Sequence, residues 1–251
     1  PARVPVDEFV SRKLEEAFRK YPLVSERKYR DELDRAEVRE MLLDVLEGEI
    51  EKLETRSLRP AYLEYGFGSG EGKDAPALVI GSQDGEIKIQ GRIDRIDLDP
   101  EGRIALIVDY KRTAKLDRSG LEIGTSLQLP LYILAVEKAL GLKAVGGELY
   151  ALKEGTRSGF YRKDEAEKLD LKIAGKNSLL DEGSFTGLLD RTLGFVRRFT
   201  REIRNLTILV RPRDCEKYCP YPSLCRIEKW RLPMILEEIR NEDKLKENKS
   251  G

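Results

Sequence analysis

The chain has 251 residues, with 46 basic and 46 acidic side chains and no histidine. Balanced charge provides no global basic field, so any nucleic-acid binding falls to a local patch. The missing imidazole excludes Ser-His-Asp catalysis, Cys-His pairs and histidine-built zinc sites, leaving acid–base and metal chemistry to carboxylates, Lys, Tyr or Cys.

The length suits one large domain or two small ones. Residues 7–20 read as a short helix, with Phe9, Val10, Leu14, Ala17 and Phe18 at helical spacing, ended by Tyr21-Pro22. A longer helix follows over about 31–54, striped by Leu33, Ala36, Met41, Leu42, Val45, Leu46, Ile50 and Leu53. Residues 59–68 read as a strand and 68–74 as a glycine-rich loop. Ala77–Ile80 is a short strand, and Gly85–Leu98 a longer one alternating through Ile87, Ile89, Gly91 and Ile93. Asp99-Pro100-Glu101-Gly102 has turn composition. Arg103–Lys111 is nearly continuously apolar, as befits a central strand. Residues 126–140 predict a helix with Pro130 in its first turn, where the missing N–H costs little. Gly146–Leu152 is a strand, residues 184–205 an arginine-rich helix, and a charged helical tail ends the chain. The whole predicts a single α/β domain over 1–251. It comprises a helical part at 1–55, a core at 56–210 with a mixed central sheet flanked by helices, and a cysteine loop with a helical tail at 211–251.

No apolar run is long enough to cross a bilayer and no signal peptide is legible, so no membrane partner is expected. The odd count of three cysteines argues against a disulfide framework and for a reducing compartment, hence a cytoplasmic location. The chain starts at Pro1 in place of Met, so a trimmed chain or one part of a longer polypeptide is expected.

The chemistry concentrates in two strands. Asp94 sits in Gly91-Arg92-Ile93-Asp94-Arg95-Ile96-Asp97, and Asp109-Tyr110-Lys111 closes the next strand. Asp109 and Lys111 are two apart and share a face, while the Tyr110 side chain points the other way. The intervening turn lets the two acids meet. Two carboxylates and a backbone carbonyl suit Mg²⁺, and an ammonium beside them could orient a water and stabilise charge developing on phosphate. Surface ion pairs at a hairpin end remain the plain alternative. Asp97, three residues from Asp94, faces the opposite way and reads as a salt-bridging residue.

These two runs, followed by Gln128-x-x-x-Tyr132, resemble the PD-(D/E)XK nuclease superfamily, in particular its RecB/AddB-type exonuclease domain. The resemblance covers about residues 8–230. It implies a restriction-endonuclease-like fold with Asp94, Asp109 and the Tyr110 carbonyl as ligands of Mg²⁺ (or Mn²⁺) and Lys111 as the catalytic lysine. Gln128 and Tyr132 would form the helix motif near the active site and DNA; four residues apart, they share one helix face. It further implies Mg-dependent DNA phosphodiester hydrolysis beside a helicase during double-strand-break repair, or a CRISPR-associated RecB-like exonuclease. The family's first-helix histidine is absent; its place falls near Ser11, with Glu8 or Glu15 as substitutes. This departure keeps open a non-catalytic DNA-binding or scaffold subunit. Glu64, in a Glu-x-x-Phe-Gly context, receives no role.

All three cysteines, Cys215, Cys219 and Cys225, fall within eleven residues, a clustering that suits a soft metal or an iron–sulfur cluster but leaves one ligand missing. The resemblance implies the C-terminal part of a [4Fe–4S] motif whose upstream cysteine is absent here. Three reduced thiols in a Pro-rich loop, or a cysteine-loop metal-binding interaction protein, are the alternatives. For DNA contacts, Arg197, Arg201 and Arg204 form one helical stripe. Arg211, Arg213, Arg226, Lys229 and Arg231 follow it, and Lys115 and Arg118 lie just after the catalytic strand.

Overall fold

The run from Ala105 to Val108 has no polar side to turn to water, and in the computed structural model of the chain it is buried on both faces. The structure describes residues 5–21, 28–70, 72–173, 178–207 and 227–247. They fall into two units, Pro1–Arg197 and Arg198–Gly251. In chain order the elements are α1 (Val6–Lys20), α2 (Lys28–Thr55), β1 (Arg59–Phe67), β2 (Leu78–Ser82), β3 (Gly85–Ile89), β4 (Gly91–Leu98) and β5 (Ile104–Lys111). Then come α3 (Arg118–Ile123), α4 (Gln128–Ala135), β6 (Lys143–Ala151), β7 (Thr156–Arg162), α5 (Lys163–Lys168), β8 (Leu179–Leu180), α6 (Glu182–Arg204) and α7 (Leu232–Glu247).

Six strands form the central sheet in the order β1-β4-β5-β6-β7-β8. The pairs β1/β4, β4/β5 and β6/β7 are antiparallel, while β5/β6 and β7/β8 are parallel. This is the mixed, helix-flanked, restriction-endonuclease-like α/β sheet expected, with β5 in its interior. One face packs Phe67, Ile96 and Ile107 beneath Leu129 and Ile133 of α4 and Phe185 and Leu189 of α6. The other packs Leu106, Val108, Val145 and Tyr161 with Val45 of α2 and Ala166 of α5. Each such fully buried aliphatic side chain contributes about 1.5–3 kcal/mol. Pro130 is buried in the first turn of α4. The expected helix runs on from α4 as a π-helical turn, Val136–Leu140, closed by Gly141 in the left-handed region at φ 71°.

Two expectations need correction. The run Gly85–Leu98 is two strands: β3 pairs with β2 in a separate hairpin, and β4 enters the main sheet. The break falls where Gly91 meets the Phe67 ring, since a Cβ there would stand 2.9 Å from ring carbons. On α2, Leu33 and Ile50 are exposed, and the buried line runs through Val45 and Glu49, four residues apart. Strand β7 and helix α5 add to the elements read from the sequence.

In the second unit, a 3₁₀ turn at Lys229–Arg231 leads into α7. The cysteine segment, residues 215–225, lies outside the described residues. Among the described residues no helix is long and apolar enough to cross a membrane.

Candidate active site

The turn between β4 and β5 fixes the site's register. Asp99 Oδ1 accepts from the N–H groups of Arg103 (2.6 Å) and Ile104 (2.7 Å). Gly102 takes the left-handed φ of 69° that the turn requires. Arg95 then pairs with Val108 and Ile96 with Ile107, and continuing that register carries Asp94 to Asp109. The Tyr110 N–H donates to Asp94 Oδ2 at 2.8 Å, which pins the half-buried Asp94 to β5.

Asp109 is 1 % exposed. Gln128 Nε2, at the first residue of α4, donates to Asp109 Oδ1 (3.0 Å) and to the Tyr132 hydroxyl (3.0 Å). Tyr132 is half-buried with its ring edge-on to Phe67 at 6.2 Å. Lys111 Nζ stands 2.6 Å from Asp109 Oδ2, near enough for an ion pair. Oδ2 is otherwise buried, and Lys111 is its charged partner. Burial pushes the Asp109 carboxyl above the ordinary aspartate range, Lys111 pulls against that rise, and Asp94 adds to it. The structure therefore brings Asp94, Asp109, Lys111, Gln128 and Tyr132 to one sheet face.

A buried acid, a second carboxylate beside it and the Tyr110 carbonyl in the same strand make a hard-oxygen donor set compatible with Mg²⁺. Among the described residues no group of three or more His, Cys, Asp or Glu could hold a metal. Neither Glu8 nor Glu15 therefore joins Asp94 and Asp109. Glu15 pairs with Arg19 (3.5 Å), and Ser11 accepts from Arg39 (3.3 Å) and donates to Asp7 (3.3 Å). Glu64 pairs with Arg92 at 2.8 Å.

Behind the acids lies a buried charge network that sequence reasoning missed. Arg95 grips Asp97 with two hydrogen bonds, Nε to Oδ1 at 2.5 Å and Nη2 to Oδ2 at 2.7 Å. It also donates to Glu49 of α2 and to the Tyr110 hydroxyl (3.0 Å). Arg157 of β7 donates to both Glu49 and Glu148, and Tyr161 donates to Glu148 at 2.7 Å. Asp97 thus faces away from Asp94 into an ion pair, as expected. Burial raises the Asp97 carboxyl despite Arg95, whereas Glu49, although buried, is held below the usual range by Arg95 and Arg157. The available signal was alternation: Arg95/Asp97 and Arg157/Tyr161 mark one strand face, but such a face ordinarily reads as solvated.

The arginine stripe is not uniformly available. Arg197 Nε donates to the Gly81 carbonyl at 2.9 Å, tying α6 to the β2–β3 hairpin. Arg201 and Arg204 belong to the second unit. Arg211, Arg213, Arg226 and the Lys229 side chain lie outside what is described. Lys115 and Arg118 are exposed, and Arg118 Nη2 donates to Ser178 at 3.4 Å.

Residues 1–226 match the PD-(D/E)XK nuclease superfamily. The chain is 29% identical over 231 residues to an ATP-dependent helicase/deoxyribonuclease subunit of Caldanaerobacter subterraneus subsp. tengcongensis, an alignment covering 71% of this chain and 20% of that protein. A protein of the same name from Alkaliphilus oremlandii is 27% identical over 237 residues, covering 68% and 21%. One from Oceanobacillus iheyensis reaches 39% over 100 residues, covering 36% and 8%. The chain thus spans about one fifth of the length of the two curated relatives it matches over most of its own length.

Proposed function

The chain belongs to the PD-(D/E)XK nuclease superfamily, and on that premise we propose that it is a metal-dependent deoxyribonuclease acting as one domain, an exonuclease that works beside a helicase in double-strand-break repair. The observation that carries the reading is Asp109. It is a buried carboxylate paired with Lys111, set beside Asp94 and tied through Gln128 to Tyr132. Asp94, Asp109 and the Tyr110 carbonyl would hold Mg²⁺ or Mn²⁺. When bound, the cation polarises a phosphoryl oxygen and lowers the pKa of its water.

The remaining chemistry rests on the chain's own groups. Lys111, half-exposed beside Asp109, orients the attacking water and stabilises negative charge developing on the phosphate. The Tyr110 N–H holds Asp94, and Gln128 holds Asp109, so both carboxylates are oriented before substrate arrives. DNA as substrate and a helicase as partner are supported by the names of the relatives, and the odd cysteine count supports a cytoplasmic setting. The spacing of Cys215, Cys219 and Cys225 supports a [4Fe–4S] cluster completed by a ligand outside this triplet.

The test is incubation with linear single- and double-stranded DNA and Mg²⁺ or Mn²⁺. Wild type cleaves, while Asp109→Ala and Lys111→Ala each lose about 10²-fold or more of the rate. A wild type no faster than these variants rejects the nuclease. The absence of a third metal-binding acid among the described residues favours a second reading, a DNA-binding protein with a degenerate site. It predicts DNA binding without cleavage in the same assay.

A further inference from the structure

On the sheet face turned away from Asp109 lies a cavity of about 210 Å³ whose lining includes Lys52, Arg56, Glu148, Arg157, Lys172 and Ser178. Four of these six side chains are cationic and one is acidic. The acids of this region are already engaged. Glu148 accepts from Arg157 and Tyr161, Glu49 from Arg95 and Arg157, and Asp97 from Arg95. The remaining cations are only loosely paired with acids: Lys52 stands 3.9 Å from Glu49 and over the Tyr150 ring at 5.3 Å, and Arg56 stands 3.9 Å from Glu148. Lys172 has no ion pair among the described residues. Arg157 is more than nine-tenths buried, yet its Nε has no hydrogen-bond partner among them. Burial holds the Lys52 ammonium below the usual lysine range, and the neighbouring Arg157 adds to that.

We propose that this cavity binds a small phosphate-class dianion, either inorganic phosphate or the terminal phosphate of a phosphomonoester, neutralised by Lys52, Arg56 and Lys172 beside the buried Arg157. A dianion with several acceptor oxygens matches three under-compensated cations, where a single carboxylate would leave the charge unbalanced. The volume lies below the ~300–1,000 Å³ of drug-sized ligand sites, which suits a phosphate with little attached to it. A duplex backbone would need an open basic track, and this is a pocket walled by β6, β7, Leu171 and Ile173. The site is separated by the sheet from Asp109 and Lys111, and its occupant is neither the scissile phosphate nor dependent on a metal.

Isothermal titration calorimetry of the full chain with inorganic phosphate tests this, in EDTA and at ionic strength held constant with chloride. Saturable one-to-one binding is expected. Lys172→Gln, an exposed change that leaves the core alone, weakens it about threefold or more, and Arg56→Gln about tenfold. Lys111→Gln leaves it unchanged. Titration with deoxythymidine 5′-monophosphate separates the sources: binding as tight or tighter identifies a phosphomonoester, and weaker binding identifies free phosphate. Absence of saturable binding overturns the proposal, as does loss of binding in Lys111→Gln with retention in Lys172→Gln. Cleavage is not the readout, so either failure leaves the nuclease reading standing.

Discussion

Asp109 is held where a carboxylate is least comfortable. Its side chain is buried, and the charged form is opposed first by desolvation and further by Asp94. Because its folded pKa is raised, the group contributes stability below its unfolded pKa and loses it as pH rises through the folded value. A neutral amide escapes that loss. Asp109→Asn should therefore melt about 2–4 °C higher than wild type at neutral pH, the response to about 1 kcal/mol. The gain should vanish as pH falls below the ordinary aspartate range, and cleavage should be lost at every pH. A variant less stable than wild type at neutral pH would mean that the Lys111 ion pair outweighs burial. Mg²⁺ should raise the wild-type midpoint and leave that of the variant unmoved, since the stabilising ion needs the ionised acid. These residues were legible in the sequence because spacing two apart on a strand and four apart on a helix fixes which side chains share a face.

At the scale of elements, the sheet that carries the acids depends on close backbone approach between β6 and β7. Gly159 faces the Gly147 carbonyl, and an added Cβ would overlap that oxygen. Gly159→Ala should cost about 2–4 kcal/mol in urea unfolding, because backbone rather than a pliable side chain must yield. Gly48, inside α2 with nothing within 4 Å of its Cβ position, is the contrasting case. Gly48→Ala should stabilise by about 0.5–1 kcal/mol through helix propensity alone. A Gly159→Ala variant as stable as wild type would show that the strands can separate without penalty. The same strands explain what sequence reading missed. Arg157, Gly159 and Tyr161 alternate as a solvated face would, and only Glu49 reaching down from α2 turns that face into an interior.

At the scale of the molecule, zero net charge and the absence of histidine narrow the chemistry to carboxylate, lysine and thiolate. The thiolates give a whole-chain prediction. Protein purified without oxygen should be coloured and contain iron, and Cys219→Ala should lose both; colourless, iron-free wild type would remove the cluster. The sequence by itself determined the apolar interior strand, the two-strand placement of Asp94, Asp109 and Lys111, and the helix that presents Gln128 and Tyr132. All of these follow from local periodicity and turn chemistry. Only the tertiary structure decided that Gln128 reaches Asp109, that Arg197 is committed to Gly81, and that Arg95, Asp97, Glu148 and the Arg157 side chain are buried under α2. The reason is physical. A strand's period of two says which side chains share a face, but whether that face meets water or another element depends on residues far away in the chain.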